Sequence, residues 1–297
     1  MTLDIMMPFY GRFDHFRAAV NSVLAQDDPD WRLVIIDDVY PDLAPGEWAR
    51  SIGDPRVSYL RNETNLRPSR NYNKAIGLAD AEYLQLMGCD DVMLPGYVRR
   101  VHDLLEQFPG AAIVQPGVSV IDEDGRPSRP LADRVKDYYR PSGRGGRIYS
   151  GEVLARSLLR GNWTYFPSLV WKRELLAAGG FRNDLDVVQD LAKLFEITVG
   201  GGLLALDDEP VFTYRRHSRS VSAVTGPDGT KFLQEATFFA EAERTAANLG
   251  WKRAARAARV HFSSRLNALS ELPGALLTRN ALGRRNLSRH ILGLRDS

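Results

Sequence analysis

Along the first 121 residues, short β-rich runs alternate with segments whose apolar residues recur at helical spacing, and this alternation restricts the fold more than any other feature. "LDIMM" (3–7) reads as a strand, "FDHFRAAVNSVLAQ" (13–26) as an amphipathic helix and "WRLVIID" (31–37) as a second strand. "RVSYL" (56–60) is a third strand, "RPSRNYNKAIGLA" (67–79) a helix and "EYLQLM" (82–87) a fourth strand. Pro95 opens another helix, since proline is tolerated in a first turn, and "AAIVQPGVSVI" (111–121) is a further strand. Such alternation predicts an α/β fold with a mostly parallel sheet covered by helices on both faces. Ligands of these sheets gather beyond the carboxyl ends of the strands, where "PFYGR", "DDVYPD" and "CDD" fall.

Downstream, residues 122–147 are polar, with several Gly and Pro, and read as a mobile loop. A helix near "SGEVLARSLLR", a strand near "FPSLVW" and a helix "DVVQDLAKLFEITV" follow, then a pair of strands through "GGLLALDDEPVFTYRRH". From Asp228 the pattern is helical, with Trp251, Ala255, Ala258, Phe262, Leu266, Leu269 and Leu272 at steps of three or four on one apolar face. The expected organisation is a domain over 1–227, its halves 1–121 and 148–227, followed by a helical extension over 228–297.

Two adjacent aspartates, Asp90 and Asp91, follow an apolar run, where uncompensated negative charge is unfavourable. A divalent cation would relieve it; all-oxygen ligation suits Mg²⁺ or Mn²⁺, with water and phosphate oxygens completing the shell. Capping of the helix that begins at Pro95 is the structural alternative for Asp91. A second pair, Asp37–Asp38, ends another strand; Asp38 could accept from an N–H donor such as a nucleobase imide, or simply order its loop. Arg215, Arg216 and Arg219 flank His217 in a cluster suited to phosphate. Trp163 fits either a stacking platform for a sugar or ordinary core packing.

Five segments, taken in order, resemble the family 2 glycosyltransferases of the GT-A fold: "IMMPFYGR", "SVLAQDDPDWRLVIIDDVYPD", "NETNLRPSRNYNKAIGLADAEYLQLMGCDD", "GGFRNDLDVVQDLAKLF" and "YRRHSRSVS". The resemblance implies a GT-A sheet and an inverting, metal-assisted transfer from a nucleoside-diphosphate sugar to an acceptor hydroxyl. By the same resemblance Pro8, Phe9, Tyr10, Asp38, Arg70 and Asp90 bind the nucleotide sugar. Asp91 and His217 hold Mn²⁺ or Mg²⁺, and Asp190 is the general base, with Asp184 and Asp186 as neighbouring alternatives. A uracil or thymine base is favoured, hence a UDP- or dTDP-sugar; the acceptor is a glycan, polysaccharide or lipid-linked saccharide. Three positions depart from the family: Gly88 where an aspartate is frequent, Arg67 where glycine is common, and Gln189 in place of glutamate.

Other classes are less well matched. "SGRGGR" follows no strand, so the dinucleotide fingerprint is absent, as are a P-loop and His-Glu-x-x-His. A sugar nucleotidyltransferase would open with a Gly-rich phosphate loop, and a catalytically inactive carbohydrate binder has no need of Asp91 and Asp190 together. The single cysteine, Cys89, and the lack of a readable signal peptide or membrane span fit the cytoplasm. From Arg244 to Ser297 there are 11 Lys/Arg and 2 Asp/Glu, against 28 basic and 35 acidic residues before it. A basic end on an acidic body points to peripheral contact with an anionic membrane or an acidic partner, or to a solvated face. Base-reading and stacking patterns are missing, so no nucleic-acid partner is expected.

Overall fold

The computed structural model describes residues 1–217, 229–277 and 280–293. In chain order, β1 (Leu3–Phe9), α1 (Phe13–Leu24), β2 (Trp31–Asp37), α2 (Ala44–Arg50), β3 (Val57–Arg61), α3 (Arg67–Leu78) and β4 (Tyr83–Leu86) build the first half of the sheet. Then come β5 (Val92–Met93), α4 (Tyr97–Gln107), β6 (Ala111–Ile121), α5 (Leu131–Tyr139), β7 (Arg147–Tyr149) and α6 (Gly151–Arg160). The remainder is β8 (Val170–Lys172), α7 (Arg173–Ala177), α8 (Gln189–Val199) and β9 (Leu203–Arg215), followed by helices α9 (Thr230–Asn248), α10 (Lys252–Val260), α11 (Phe262–Leu277) and α12 (Ala281–Leu292).

All the strands join one sheet in the order β3-β2-β1-β4-β8-β6-β9-β5, with β7 also on β9. β1, β2, β3, β4, β6 and β9 run in one direction, and β5, β7 and β8 oppose them, in keeping with the expected mostly parallel sheet. Alternate residues of the central strands feed two separate cores. Met6, Val34 and Ile36 join the cluster around Trp163 and Trp171, whereas Ile5, Met7, Leu33 and Ile35 pack with Phe16 and Val20 of α1. A strand buried on both faces is apolar at most positions, which is why these runs show little polar alternation.

Pro8 ends the pairing on one side. The β1–β4 register closes at Met6↔Leu86, and Met87 N donates to Met6 O at 2.9 Å. The next rung would need an N–H on Pro8, which proline lacks. The chain therefore leaves the sheet at Gly88, and the Asp90–Asp91 turn opens beside the end of β1.

Three expectations are corrected, and one alternative is decided. The 122–147 segment is not a bare loop: it contains α5, which buries Asp133 and stays on the protein through Lys136, whose ammonium donates to Thr164 O. The expected pair of closing strands is the single strand β9, with its register against β6 shifting around Gly117, opposite Asp207–Pro210. The apolar face read across 251–272 is interrupted at His261 (φ 27°), which divides α10 from α11 and leaves Phe262, Leu266 and Leu269 exposed. Trp163 is fully buried, its indole N–H donating to Ser157 Oγ at 2.9 Å, so core packing accounts for it.

Candidate functional site

Parallel strands deliver their carboxyl ends to one edge, and the two acidic pairs arrive there from β2 and β4. Asp91 is almost fully buried; its Oδ1 accepts from Arg215 N at 2.8 Å, on the neighbouring end of β9. Burial, and then the charge of Asp90, push the Asp91 carboxyl well above the usual range. Asp90 is half-buried and pairs with His217, Nε2 to Oδ2 at 2.6 Å. That hydrogen bond raises the imidazole pKa. The helix-capping alternative for Asp91 fails: α4 begins at Tyr97 after Gly96, with no side-chain cap.

Gly88 explains how the two carboxylates fit. A Cβ there would lie 2.4 Å from Asp91 Oδ2 and 3.0 Å from Asp90 Oδ1. Both oxygens thus converge over the Gly88 Cα, in the space an aspartate at that position would occupy. Among the described residues, no group of three or more His, Cys, Asp and Glu side chains is set to hold a metal by itself. Two converging carboxylate oxygens with a nearby imidazole nevertheless suit a hard cation that takes its other ligands from water and phosphate.

Arg215 and Arg216, expected to face phosphate, are already engaged. Arg215 Nε donates to Asp90 O at 2.8 Å and Nη1 reaches the carbonyls of Asp122 and Glu123, so this side chain ties down the Asp90–Asp91 turn. Arg216 forms a two-pronged pair with buried Asp133 at 2.7 and 2.6 Å. Arg219, and the Ser218–Ser222 part of the closing motif, lie outside the described residues.

At the end of β2, both aspartates serve the protein. Asp37 accepts from Tyr40 N, Tyr59 Oη and Arg61 Nη1. Asp38, expected to meet a base, is buried and accepts from Asn62 Nδ2 (2.7 Å), Leu66 N (2.7 Å) and Arg67 N (3.0 Å). Its carboxylate is committed to shaping the 62–67 loop, the structural role weighed for it at the outset. Val39 and Arg67, on either side of this contact, both have φ 64°. Left-handed backbone is unusual for any residue but glycine, most of all for a β-branched one. The glycine-like demand at Arg67 is therefore retained although the glycine is not.

The loop opens onto a cavity of about 310 Å³ lined by Asn65, Leu66, Arg67, Arg70, Asn183 and Asp186. Arg70 is exposed on α3 and stands in it, while Ser69 Oγ donates to Asp186 Oδ1, tying α3 to the segment that leads into α8. Tyr10 is exposed beyond β1 and meets Tyr40 edge-on at 5.5 Å; Pro8 is half-buried. Phe9 points the other way. It is fully buried, stacked on Phe16 at 4.1 Å, and belongs to the core rather than to the crevice.

Asp190 lies in the first turn of α8, half-buried, with Oδ2 accepting from Asn162 Nδ2 at 2.9 Å. Asn162 in turn accepts from Thr164 Oγ1 at 2.7 Å. Beside it, Lys136 sits over the Tyr165 ring at 4.3 Å. Desolvation, then Arg216, lower the Lys136 ammonium to about 8, against the attraction of Asp190 and Asp133. Asp133 also accepts from Tyr165 Oη at 2.9 Å, and burial with the charges of Asp91, Asp90 and Asp133 raises the Tyr214 phenol. Tyr214 meets the Tyr165 ring at 5.3 Å, and Tyr165 is thus shared by Tyr214, Asp133 and Lys136. No signal in the sequence marked Asn162, Asp133 or Lys136. Asp184 is exposed and paired with Arg182 at 2.6 Å.

The family model described as "Glycosyl transferase family 2" matches residues 4–160. The succinoglycan biosynthesis protein ExoO of Rhizobium meliloti is 27% identical over 72% of this chain and 61% of its own length. The putative colanic acid biosynthesis glycosyl transferase WcaA of Escherichia coli is 32% identical over 31% of this chain and 34% of its own. The chain thus spans less than two thirds of either relative. In fold, TarS 1–349 of S. aureus in complex with UDP matches with a TM-score of 0.67 over 99% of this chain and 88% of that one, at 14% identity. A mannosyltransferase from Pyrobaculum calidifontis, in complex with GDP-Man and Mn²⁺, matches with a TM-score of 0.59 over 98% and 85%, at 15% identity.

Proposed function

The chain belongs to glycosyl transferase family 2, and from that premise we propose that it moves a sugar from a nucleoside-diphosphate sugar to an acceptor hydroxyl, inverting the anomeric centre. The observation that carries this reading is the Asp90–Asp91 pair at the end of β4, whose oxygens converge over Gly88 beside His217. The polysaccharide named for ExoO supports a glycan, polysaccharide or lipid-linked saccharide as acceptor. The UDP-GlcNAc complex of TarS, with TM-score 0.65, and the GDP-Man complex of the Pyrobaculum enzyme support a nucleotide-sugar donor, UDP- or dTDP-linked by the family resemblance alone.

Asp90, Asp91 and His217 would hold Mn²⁺ or Mg²⁺ against the diphosphate. Bound there, the cation supplies electrostatic stabilisation of the departing nucleotide. Arg70, free in the cavity, meets the donor's phosphate or ribose, and Tyr10 with Pro8 flanks the base. Asp190 takes the proton from the acceptor hydroxyl as it attacks. Its Oδ2 is held by Asn162, which leaves Oδ1 to receive the proton. A single positioned base contributes roughly 10²–10⁴-fold, and direct displacement needs no second carboxylate as a covalent nucleophile. The test is release of nucleoside diphosphate from UDP-, dTDP- and GDP-sugars with Mn²⁺, repeated with chelator and with Asp190→Asn. Full activity of Asp190→Asn rejects the assigned base, and donor turnover indifferent to chelation rejects the cation's part.

A further inference from the structure

Helix α11 carries its large apolar side chains on the outside. Phe262, Leu266, Leu269, Leu276 and Leu277 are 55, 47, 49, 52 and 85% exposed, and Pro273 is exposed between them. Steps of four, three, four and three from Phe262 to Leu276 keep these positions within a narrow sector of a 3.6-residue helix, so they form one stripe along its whole length. The opposite side holds the helix to the protein with small residues: Ala268 and Ala275 pack on Phe232 and Leu287, and Ser264 hydrogen-bonds to Glu235 and His290. A continuous exposed apolar stripe of this kind marks an interaction surface.

Its surroundings identify the partner. On α10, Ala254, Ala255 and Ala258 are buried while Lys252, Arg253 and Arg256 face solvent. On α12, Arg284 and Arg285 are exposed alongside Leu282 and Leu292. Among the described residues, none of these five cations makes an ion pair. From Arg244 onward the chain has 11 Lys/Arg and 2 Asp/Glu, whereas the part before it has 28 basic and 35 acidic residues. An exposed apolar stripe, with unpaired exposed cations on the helices before and after it, is complementary to an anionic lipid surface, into which the apolar side chains insert while the cations meet headgroups.

We propose that α10–α12 form a docking surface for an anionic bilayer, with the α11 stripe inserted at the headgroup level. No helix among the described residues is long and apolar enough to cross a membrane, and the contact proposed for this surface is peripheral. The surface is coupled to the catalytic helix through α9, where Gln234 Oε1 accepts from Val187 N at 3.0 Å, three residues before Asp190. This inference does not depend on the transfer reaction, because its readout is vesicle binding.

The full chain is sedimented with vesicles of phosphatidylcholine alone or with phosphatidylglycerol added, at low and high salt, and its size is measured by light scattering. The expected result is binding only to the anionic vesicles, weakened at high salt. Leu266→Gln/Leu269→Gln is expected to weaken it at least about 10-fold, and Arg284→Gln/Arg285→Gln to remove much of the salt dependence. Circular dichroism of both variants is expected to match the parent, since the altered side chains are exposed. Absence of binding, or equal binding to neutral vesicles, overturns the proposal. So does a dimer in solution that Leu266→Gln/Leu269→Gln converts to a monomer without any vesicle binding, which would make the stripe an interface between copies.

Discussion

Asn162 donates from Nδ2 to Oδ2 of Asp190 at 2.9 Å, and so engages one of its two carboxylate oxygens. A hydrogen bond to a charged group contributes about 1.5–3 kcal/mol. With Asp190 as the proposed base, Asn162→Ala is expected to lower kcat about 10- to 100-fold and to leave the donor KM close to the parent value. Steady-state kinetics separates the two; a change in donor KM alone would assign Asn162 to donor binding.

Gly88 makes a sharper prediction. Its missing Cβ is the space into which Asp91 Oδ2 and Asp90 Oδ1 turn. Gly88→Ala forces both carboxylates to move, so Mn²⁺-dependent nucleotide binding is expected to weaken at least about 10-fold, equivalent to about 1.4 kcal/mol. Gly53→Ala, where a Cβ meets nothing, serves as the control and is expected to bind as the parent does.

Val39 is held at φ 64° directly after Asp38. Left-handed backbone costs a non-glycine residue about 1–2 kcal/mol, and asparagine tolerates it better than valine. Val39→Asn is expected to raise the melting temperature by roughly 2–4 °C for each kcal/mol recovered. A lower melting temperature would mean that the valine side chain contributes more by packing than its backbone loses.

Lys136 gives a signature in pH. Its folded-state pKa falls to about 8 from an ordinary 10.5, because burial and Arg216 disfavour the ammonium. Between these values the unfolded chain holds the proton that the folded chain has lost, so stability rises as pH increases from about 8 towards 10.5. Urea unfolding at several pH values should show that rise in the parent and a flatter profile in Lys136→Met. Identical profiles would contradict it.

The contrast between β6 and α5 shows what the sequence carried and what it did not. Strands 31–37 and 111–121 were legible to the residue, because each carries a buried apolar run, Leu33–Ile36 and Ala111–Val114, of the kind that burial on both sheet faces demands. Helix α5 was illegible because its pattern is inverted: Leu131 and Tyr138 are exposed, while Asp133 and Lys136 turn inward. Apolar periodicity cannot find a helix whose buried face is polar. The acidic pairs were visible as pairs, yet their duties depend on distant donors. Asp38 is engaged by the 62–67 loop and Asp91 by Arg215 N, 124 residues away. Phe9 and Tyr10 are neighbours in sequence, but strand geometry sends one into the core and leaves the other at the rim.

Titration calorimetry of UDP, dTDP and GDP into the protein, with Mn²⁺ and then with chelator, tests the cation-assisted nucleotide site most directly. At least one of the three is expected to bind with Mn²⁺ and to bind at least about 10-fold more weakly without it, with Asp91→Asn resembling the chelated parent. Failure of all three to bind in either condition, or binding that neither chelation nor Asp91→Asn alters, would contradict the assignment.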